Sequence, residues 1–155
     1  NYAQMVGTGG SSYVWTGPLS YNSAASSATI GSIALNQAGV YNVTVTAANN
    51  CTASTSSTFV VNQNPVLSAA GSTLCTQQTM SLSSLSSLPC TYFWYGPSGF
   101  TSNTQNPTLA AAVVNNTGNY TVIGTTANGC TNTAVAHVSV TPPPSLGIIL
   151  SSNSI

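Results

Sequence analysis

The chain of 155 residues contains no lysine, arginine, aspartate or glutamate, and its one histidine is His137. At the usual proportion of charged residues, roughly forty side chains would carry a charge. Proteins contact phosphate backbones through lysine and arginine, so the composition excludes nucleic-acid binding. Calcium sites need carboxylates, and one histidine without an acid, a base or a nucleophile makes no acid–base pair. We therefore expect no enzyme, no metal site and no cofactor.

Long hydrophobic runs are absent as well. The longest covers residues 146–150, whereas a membrane-spanning helix needs about 20 apolar residues, so we expect no membrane span. With 42% apolar residues, the chain still differs from disordered proteins, which combine low hydrophobicity with high charge. A net charge of zero removes repulsion between copies and favours association. This composition suits a protein that assembles with itself.

An internal repeat runs through the sequence. Four marker residues return 79 positions later without any gap in the alignment. They are Trp15, Gly39, Tyr41 and Cys51, which return as Trp94, Gly118, Tyr120 and Cys130. Self-similarity at a fixed period is the signature of a repeat architecture. We therefore expect two copies of one structural unit.

Each copy has the pattern of a β-sandwich. Residues 39–46 and 118–126 alternate apolar and polar side chains, as a strand with one buried face does. Asn-Asn and Asn-Gly follow these strands, and both dipeptides suit tight hairpin turns. About seven short strands per copy, with frequent turn signals, predict an all-β fold of tandem antiparallel immunoglobulin-like β-sandwiches. The predicted core tryptophans and corner tyrosines are Trp15, Trp94, Tyr41 and Tyr120.

Linkers divide the copies at two places. We expect a first repeat over residues 1–64 that lacks its first strand, and a complete repeat over residues 65–141. Residues 142–155 then form a proline linker and the first strand of a next repeat, or of a neighbouring subunit's repeat. The apolar residues of this strand alternate: Leu146, Ile148 and Leu150. Because no methionine or signal sequence stands at the start, we interpret the chain as a mature or excised part of an exported protein.

The second copy carries a combined pattern of four segments: Leu74-Cys75, Tyr92-Phe93-Trp94-Tyr95-Gly96-Pro97-Ser98-Gly99-Phe100-Thr101-Ser102, Gly118-Asn119-Tyr120-Thr121-Val122 and Asn128-Gly129-Cys130-Thr131. This pattern resembles the Ig-like and PKD-like repeats of large secreted bacterial surface proteins, the adhesin and gliding-type proteins exported through the type IX pathway. The resemblance covers the second copy and most of the first. It implies an extracellular sandwich in a tandem array, with adhesion or filament scaffolding as its role. The chain departs from the pattern in its lack of charge and in Cys90.

The four cysteines lack the spacing of a metal site and favour disulfides in an oxidising compartment, hence a secreted or cell-surface protein. The resemblance implies a bond between Cys75 and Cys130. Strand geometry favours Cys90 as the partner of Cys130, because strand starts at opposite ends of a sandwich lie roughly 20 Å apart, beyond the limit of about 7 Å for a disulfide. A bond across a domain or subunit junction is the third alternative. Cys51 has no evident partner in the chain.

Two further sets of residues are candidate sites. Four Asn-X-Ser/Thr sequons are acceptors for N-glycosylation: Asn42, Asn50, Asn115 and Asn119. Aromatic residues flank the Gly96-Pro97 turn, from Trp94 to Phe100, and aromatic rings of this kind stack on sugars or pack between neighbouring domains.

These observations leave two functional hypotheses. The first is a structural subunit, or a repeat segment, of an extracellular filament whose partners are further copies of itself. Its copies are joined either in one long covalent array or by donor-strand exchange, in which residues 145–155 of one subunit complete the first repeat of the next. The second hypothesis is an adhesin or carbohydrate-binding module that binds glycans or another surface through the aromatic Gly-Pro turn.

Overall fold

The computed structural model describes residues 2–147. The chain divides into two compact units, Asn1–Gln63 and Asn64–Ile155, which we call unit 1 and unit 2. Strands, turns and short 3₁₀ segments make up both units, and no α-helix occurs within the described range. One-faced burial of the alternating side chains explains why these sequences form strands that pair in two layers.

From residue 2 onward, where the structure describes the chain, unit 1 forms six strands in two sheets. One sheet pairs β1 with β4, and the other has the order β3-β2-β5-β6, with every pair antiparallel. The strands are β1 Tyr2–Val6, β2 Ser12–Gly17, β3 Tyr21–Ser23, β4 Ser27–Gly31, β5 Gly39–Thr46 and β6 Thr52–Phe59.

The described residues of unit 2 form nine strands. Its larger sheet has the order β12-β11-β14-β15-β8, and the opposite layer consists of the pairs β10-β7 and β13-β9. The strands are β7 Leu67–Ala70, β8 Thr73–Cys75, β9 Met80–Ser81, β10 Ser83–Ser86, β11 Cys90–Tyr95, β12 Thr101–Ser102, β13 Thr108–Leu109, β14 Gly118–Thr126 and β15 Thr131–Thr141.

The first strand region of unit 2 crosses from one layer to the other. β7 pairs antiparallel with β10, and β8 pairs parallel with β15. Gly71 lies at the crossing, where a Cβ atom would collide with the carbonyl oxygen of His137, so only glycine allows this close approach. The crossing closes the side of the sandwich, and Leu74 of β8 joins the buried core.

Aromatic side chains form the centre of each core. Trp94 and Tyr120 are completely buried in unit 2, and Trp15 and Tyr41 are 6% and 2% exposed in unit 1. The indole nitrogen of Trp94 donates to the carbonyl of Gln105. Each tyrosine hydroxyl donates to the carbonyl oxygen four residues upstream, at 2.8 Å for Tyr120 and 2.9 Å for Tyr41, which is the bonding of a tyrosine corner.

These features confirm the predicted fold class. The chain is all-β, and its units are immunoglobulin-like sandwiches with antiparallel pairing throughout, except for the short parallel contact between β8 and β15.

Candidate functional site

Unit 1 contains an open groove between its two sheets. The groove has a volume of about 400 Å³ and lies between β1 and β6. Its floor consists of the core residues Trp15, Tyr41 and Val43, and its walls come from the two strands: Gln4, Met5 and Val6, and Thr55, Ser56 and Ser57. Among residues 2–147, no strand pairs with the free edge of β1 or with that of β6.

Unit 2 fills the corresponding space with its own chain. There β7 pairs with β10, the counterpart of the end of β1, and β8 pairs with the end of β15, the counterpart of β6. Leu74 is buried in the core, and Ala69 packs against it. The groove of unit 1 is therefore the place that a first strand occupies in unit 2.

The last strand of each unit is buried to a different extent, because unit 2 has a first strand beside it and unit 1 has a groove. Val138 and Val140 of β15 are buried, whereas their counterparts Phe59 and Val61 are half-buried. Ala136 is buried, and its counterpart Ser57 is exposed. Apolar surface that unit 2 removes from water thus stays accessible in unit 1, at a cost of about 25 cal/mol per Å².

Strand length shows the same effect. β15 pairs with β14 only as far as Val138, and its last three residues pair with β8 instead. In unit 1, β6 pairs with β5 as far as Phe59, the counterpart of Val138, and ends there. Among residues 2–147, unit 1 has no counterpart of β8 that would extend β6 in the same way.

The floor of the groove is aromatic and uncharged. The ring of Tyr41 packs edge-on against Tyr21 and Phe59, at centroid distances of 5.4 and 6.2 Å. Burial raises the pKa of the Tyr41 and Tyr120 phenols, and Tyr21 adds to the rise at Tyr41. Both phenols therefore stay neutral at ordinary pH, and the groove offers apolar contact and hydrogen bonds but no charge.

The structure corrects the pairing of Cys75 with Cys130. Cys75 lies beside Thr141 at the end of β15, and Cys130 immediately precedes Thr131 at its start. At about 3.3 Å per residue, this strand holds the two cysteines roughly 33 Å apart. A disulfide needs Cα atoms within about 7 Å, so this bond does not form within unit 2.

The pairing of Cys90 with Cys130 meets a second geometric obstacle. Cys90 pairs with Thr126 of β14. On the other side of β14, the amide of Thr126 donates to the carbonyl of Cys130 at 2.9 Å. Two strand spacings, about 10 Å, therefore separate the cysteines. All four cysteines are free thiols in this structure, with Cys51 and Cys75 exposed and Cys90 and Cys130 half-buried.

Two aromatic residues of the Gly-Pro turn, Trp94 and Phe100, pack into the core of unit 2. Trp94 is completely buried, and the ring of Phe100 packs edge-on against Tyr120 at 5.2 Å. Trp94 faces the core because the side chains of β11 alternate between its two faces, and Phe100, which follows the turn, packs against that core while remaining half-buried.

Tyr95, a third aromatic residue of the turn, is exposed on β11 together with Phe93. Phe93 and Tyr95 are 43% and 46% exposed, and their rings lie 6.4 Å apart with a 32° angle between them. A hollow of about 510 Å³ adjoins Phe93, with Thr91, Asn103 and Thr125 among its lining residues. The exposure of Phe93 and Tyr95 could be predicted from the sequence. Alternate residues of a strand face opposite sides, so the two neighbours of the core residue Trp94 point outward.

The other predicted residues lie at the surface. The sequon residues Asn42, Asn50, Asn115 and Asn119 are all exposed. Leu146 is 95% exposed, and Ile148 and Leu150 lie outside the described residues. Within the described range, no cluster of metal-ligating side chains exists, and no helix has the length and hydrophobicity that a membrane crossing requires.

Comparison with known proteins gives similarities of fold. No protein-family model and no curated protein matches the chain. Three N-terminal domains of the outer capsid protein Hoc of bacteriophage RB49 are 16% identical, with a TM-score of 0.45 over 83% of this chain. The amphioxus IgVJ-C2 molecule is 14% identical over 89% of this chain and 96% of its own, with a TM-score of 0.43.

A third similar structure contains the N-terminal four Ig domains of Dscam1. It is 13% identical, with a TM-score of 0.41 over 90% of this chain and 41% of its own. The chain spans about half of the Hoc structure, 48%, and less than half of the Dscam1 structure.

Proposed function

We propose that the chain is a structural subunit of an extracellular filament, and that subunits join by donor-strand exchange. The observation that carries the proposal is the open groove of unit 1, at the place where unit 2 holds its own first strand. A free sheet edge with apolar floor beside it is a template for an added strand, with backbone hydrogen bonds along the edge and pockets for alternate side chains.

The donor is residues 145–155 of a second copy. The 79-residue offset that aligns the two units also aligns this segment with the first strand region of unit 2, so that Leu146 takes the position of Leu67 and Ile148 that of Ala69. Both Leu67 and Ala69 are half-buried inward positions of β7. Burying each large apolar side chain contributes about 1.5–3 kcal/mol.

One pair of positions favours the exchange over random association. The β7–β10 register pairs Ala70 with Ser83, which brings Gly71 opposite the buried Leu82. At the same two positions, the donor has Leu150 and unit 1 has the small Ala3. The large and the small residue have changed sides, so total side-chain volume is maintained across the pair, which is the condition for a well-packed core.

The exchanged pair also sets the path of the donor. Gly71 permits the crossing to β15, and a leucine at that position would not. We therefore expect the donor to continue straight along the edge of β1, opposite Ala3, where Leu150 points into the groove. The resemblance of the chain to repeats of secreted bacterial surface proteins supports an extracellular location for this filament.

The subunit structure of the native filament tests the proposal. Boiling in denaturant with a reductant should release chains of about the mass of this subunit, 15.6 kDa. High salt alone should leave the filament intact, because the chain has no ion pairs between side chains that salt could screen. Very long chains after reduction would show a covalent array instead, and dissolution by salt alone would contradict assembly through apolar burial.

A second candidate function is glycan binding by unit 2. It is favoured by the exposed rings of Phe93 and Tyr95, which present a nearly continuous apolar face beside the hydroxyl and amide groups of the adjoining hollow. Sugar rings stack on such faces and bond to such groups. The counterparts in unit 1 are Val14 and Thr16, so the same sheet face there offers no aromatic platform.

Glycan-array binding tests this second function. Replacing Phe93→Ala or Tyr95→Ala should weaken binding about tenfold each, since an aromatic contact contributes about 1.5 kcal/mol. Val14→Ala, at the counterpart of Phe93, is the matched control and should leave binding unchanged. Arrays on which the unmodified filament binds no glycan would remove this function and leave the structural one.

A further inference from the structure

Cys75 is exposed at the end of unit 2 from which the chain leaves. It pairs with Thr141, and the amide of Thr76 donates to the carbonyl of Thr141 at 2.9 Å. Leu74 points into the core and Cys75 points away from it. The thiol therefore lies at the surface, beside the last residue before the linker Pro142–Pro143–Pro144.

Cys51 is exposed at the end of unit 1 at which β6 begins. It closes the β5–β6 hairpin, where the amide of Ala47 donates to its carbonyl oxygen at 2.9 Å. The turn residue Asn50 has φ +64° and holds the loop tightly folded. Unit 1 has Ser11 at the position that corresponds to Cys90 of unit 2. Cys51 therefore has no second cysteine near it within unit 1.

The proposed strand exchange brings these two ends together. In unit 2, the first strand region begins at Pro65, whose carbonyl accepts a hydrogen bond from Asn132 at 2.8 Å, two residues after Cys130. Cys130 is the counterpart of Cys51, and Pro65 is the counterpart of Pro144. A donor strand that follows the same path therefore enters unit 1 of the next copy at its Cys51 end.

The linker is short, so it keeps the two thiols near each other. Three prolines in the extended polyproline conformation span about 9 Å. Cys75 lies beside the first end of this linker, and Cys51 of the next copy lies near its second end. Both side chains are exposed, and neither has an alternative partner at its own end of its unit.

We propose that Cys75 of each copy forms a disulfide with Cys51 of the next copy, across the junction that the donor strand makes. This inference rests on the proposed strand-exchanged filament. The bond forms when the two thiols lose two protons and two electrons to the disulfide of a thiol–disulfide oxidoreductase, which becomes a dithiol. One thiolate attacks that disulfide, and the second thiolate then displaces the oxidoreductase from the mixed disulfide.

The bond would lock the donor strand into its acceptor. Without it, a subunit leaves when its donor strand separates from the groove. With it, the separated strand stays within a few ångströms of the groove and binds again, because its effective concentration is set by the tether. A filament without charges thus gains covalent continuity, although each chain is short.

Electrophoresis of native filaments tests the proposal. Filaments boiled in detergent with a thiol-blocking reagent and no reductant should give a ladder at multiples of 15.6 kDa. Adding a reductant should collapse the ladder to the single subunit. Cys51→Ser and Cys75→Ser should each abolish the ladder while electron microscopy still shows filaments. Cys90→Ser and Cys130→Ser are the matched controls and should retain it.

Peptide mapping identifies the bond itself. Trypsin has no cleavage site in a chain without lysine or arginine, so chymotrypsin or pepsin is required. We expect a Cys51 peptide linked to a Cys75 peptide. Free thiols at both positions in ordered filaments, or linkage of either to another cysteine, would overturn the disulfide but not the strand exchange. Very long chains after full reduction would instead contradict the strand-exchanged assembly.

Discussion

Replacing Leu150→Asn should prevent the subunits from joining into filaments while leaving each subunit folded. The change removes about 1.5–3 kcal/mol of apolar burial from the donor strand. It also places an amide in an apolar groove, which costs about 1–3 kcal/mol more. Together these terms weaken each junction roughly 10²- to 10⁴-fold. Sedimentation velocity and electron microscopy measure the loss, and circular dichroism verifies the fold.

The neighbouring residue offers a matched control. Ile149 lies between Ile148 and Leu150 in the alternating pattern, so it points away from the groove when they point into it. Ile149→Asn makes the same chemical change one residue away and should leave assembly nearly unchanged. Equal loss of filaments in both variants would mean that the segment acts through general hydrophobicity rather than as a strand with one buried face.

A compensating exchange makes the test specific for the register. Ala3→Leu should fill the space that Leu150 occupies and block assembly. Leu150→Gly in the same chain recreates the pair that unit 2 contains, Gly71 opposite Leu82, and should restore part of the assembly. Failure of the double variant to exceed Ala3→Leu alone would contradict the proposed register.

Local pattern predicts much of this fold. The alternation over residues 39–46 and 118–126 corresponds to β5, Gly39–Thr46, and β14, Gly118–Thr126. Such strands are readable because one face is buried and the other is wet, which leaves a period of two in the sequence itself. Each turn likewise follows from the one or two residues at its centre.

Non-local pairing is what the sequence does not reveal. The sequence predicts a single first strand region over residues 66–75. In the structure, these residues form two strands, β7 and β8, which lie in opposite layers. The choice of layer depends on how closely Gly71 approaches His137, and these residues are far apart in the sequence. Strand direction, in contrast, could be argued from the sequence. It already disfavours the Cys75–Cys130 bond that the resemblance implies, and the two cysteines do lie at opposite ends of β15.

The groove of unit 1 could be predicted only in part from the sequence. The repeat alignment predicts that a first strand is missing there, but it does not predict whether the sandwich closes over the gap. A closed gap would bury Phe59 and Val61 as unit 2 buries their counterparts, whereas both remain half-buried. At the floor of this groove, the ring of Tyr41 packs between those of Tyr21 and Phe59.

Trp94 is a large, fully buried side chain on which the stability of unit 2 depends. Replacing Trp94→Ala should lower the free energy of unfolding of unit 2 by about 3–5 kcal/mol, the usual cost of truncating a buried tryptophan. The indole is completely buried and donates to the carbonyl of Gln105, so the change leaves both a cavity and an unpaired acceptor. Tyr95→Ala, at an exposed position of the same strand, should cost less than about 1 kcal/mol.

The chain is well suited to this measurement, because it has two tryptophans and each unit contains one. In the Trp94→Ala variant, fluorescence during chemical denaturation reports on unit 1 alone through Trp15, and circular dichroism reports on both units. We expect the Trp15 transition to stay in place while the transition of unit 2 moves to lower denaturant.

In filaments, the Trp15 transition should move to higher denaturant than in free subunits, because a donor strand covers the groove that Trp15 lines. An identical Trp15 transition in free subunits and filaments would show that the groove stays empty on assembly.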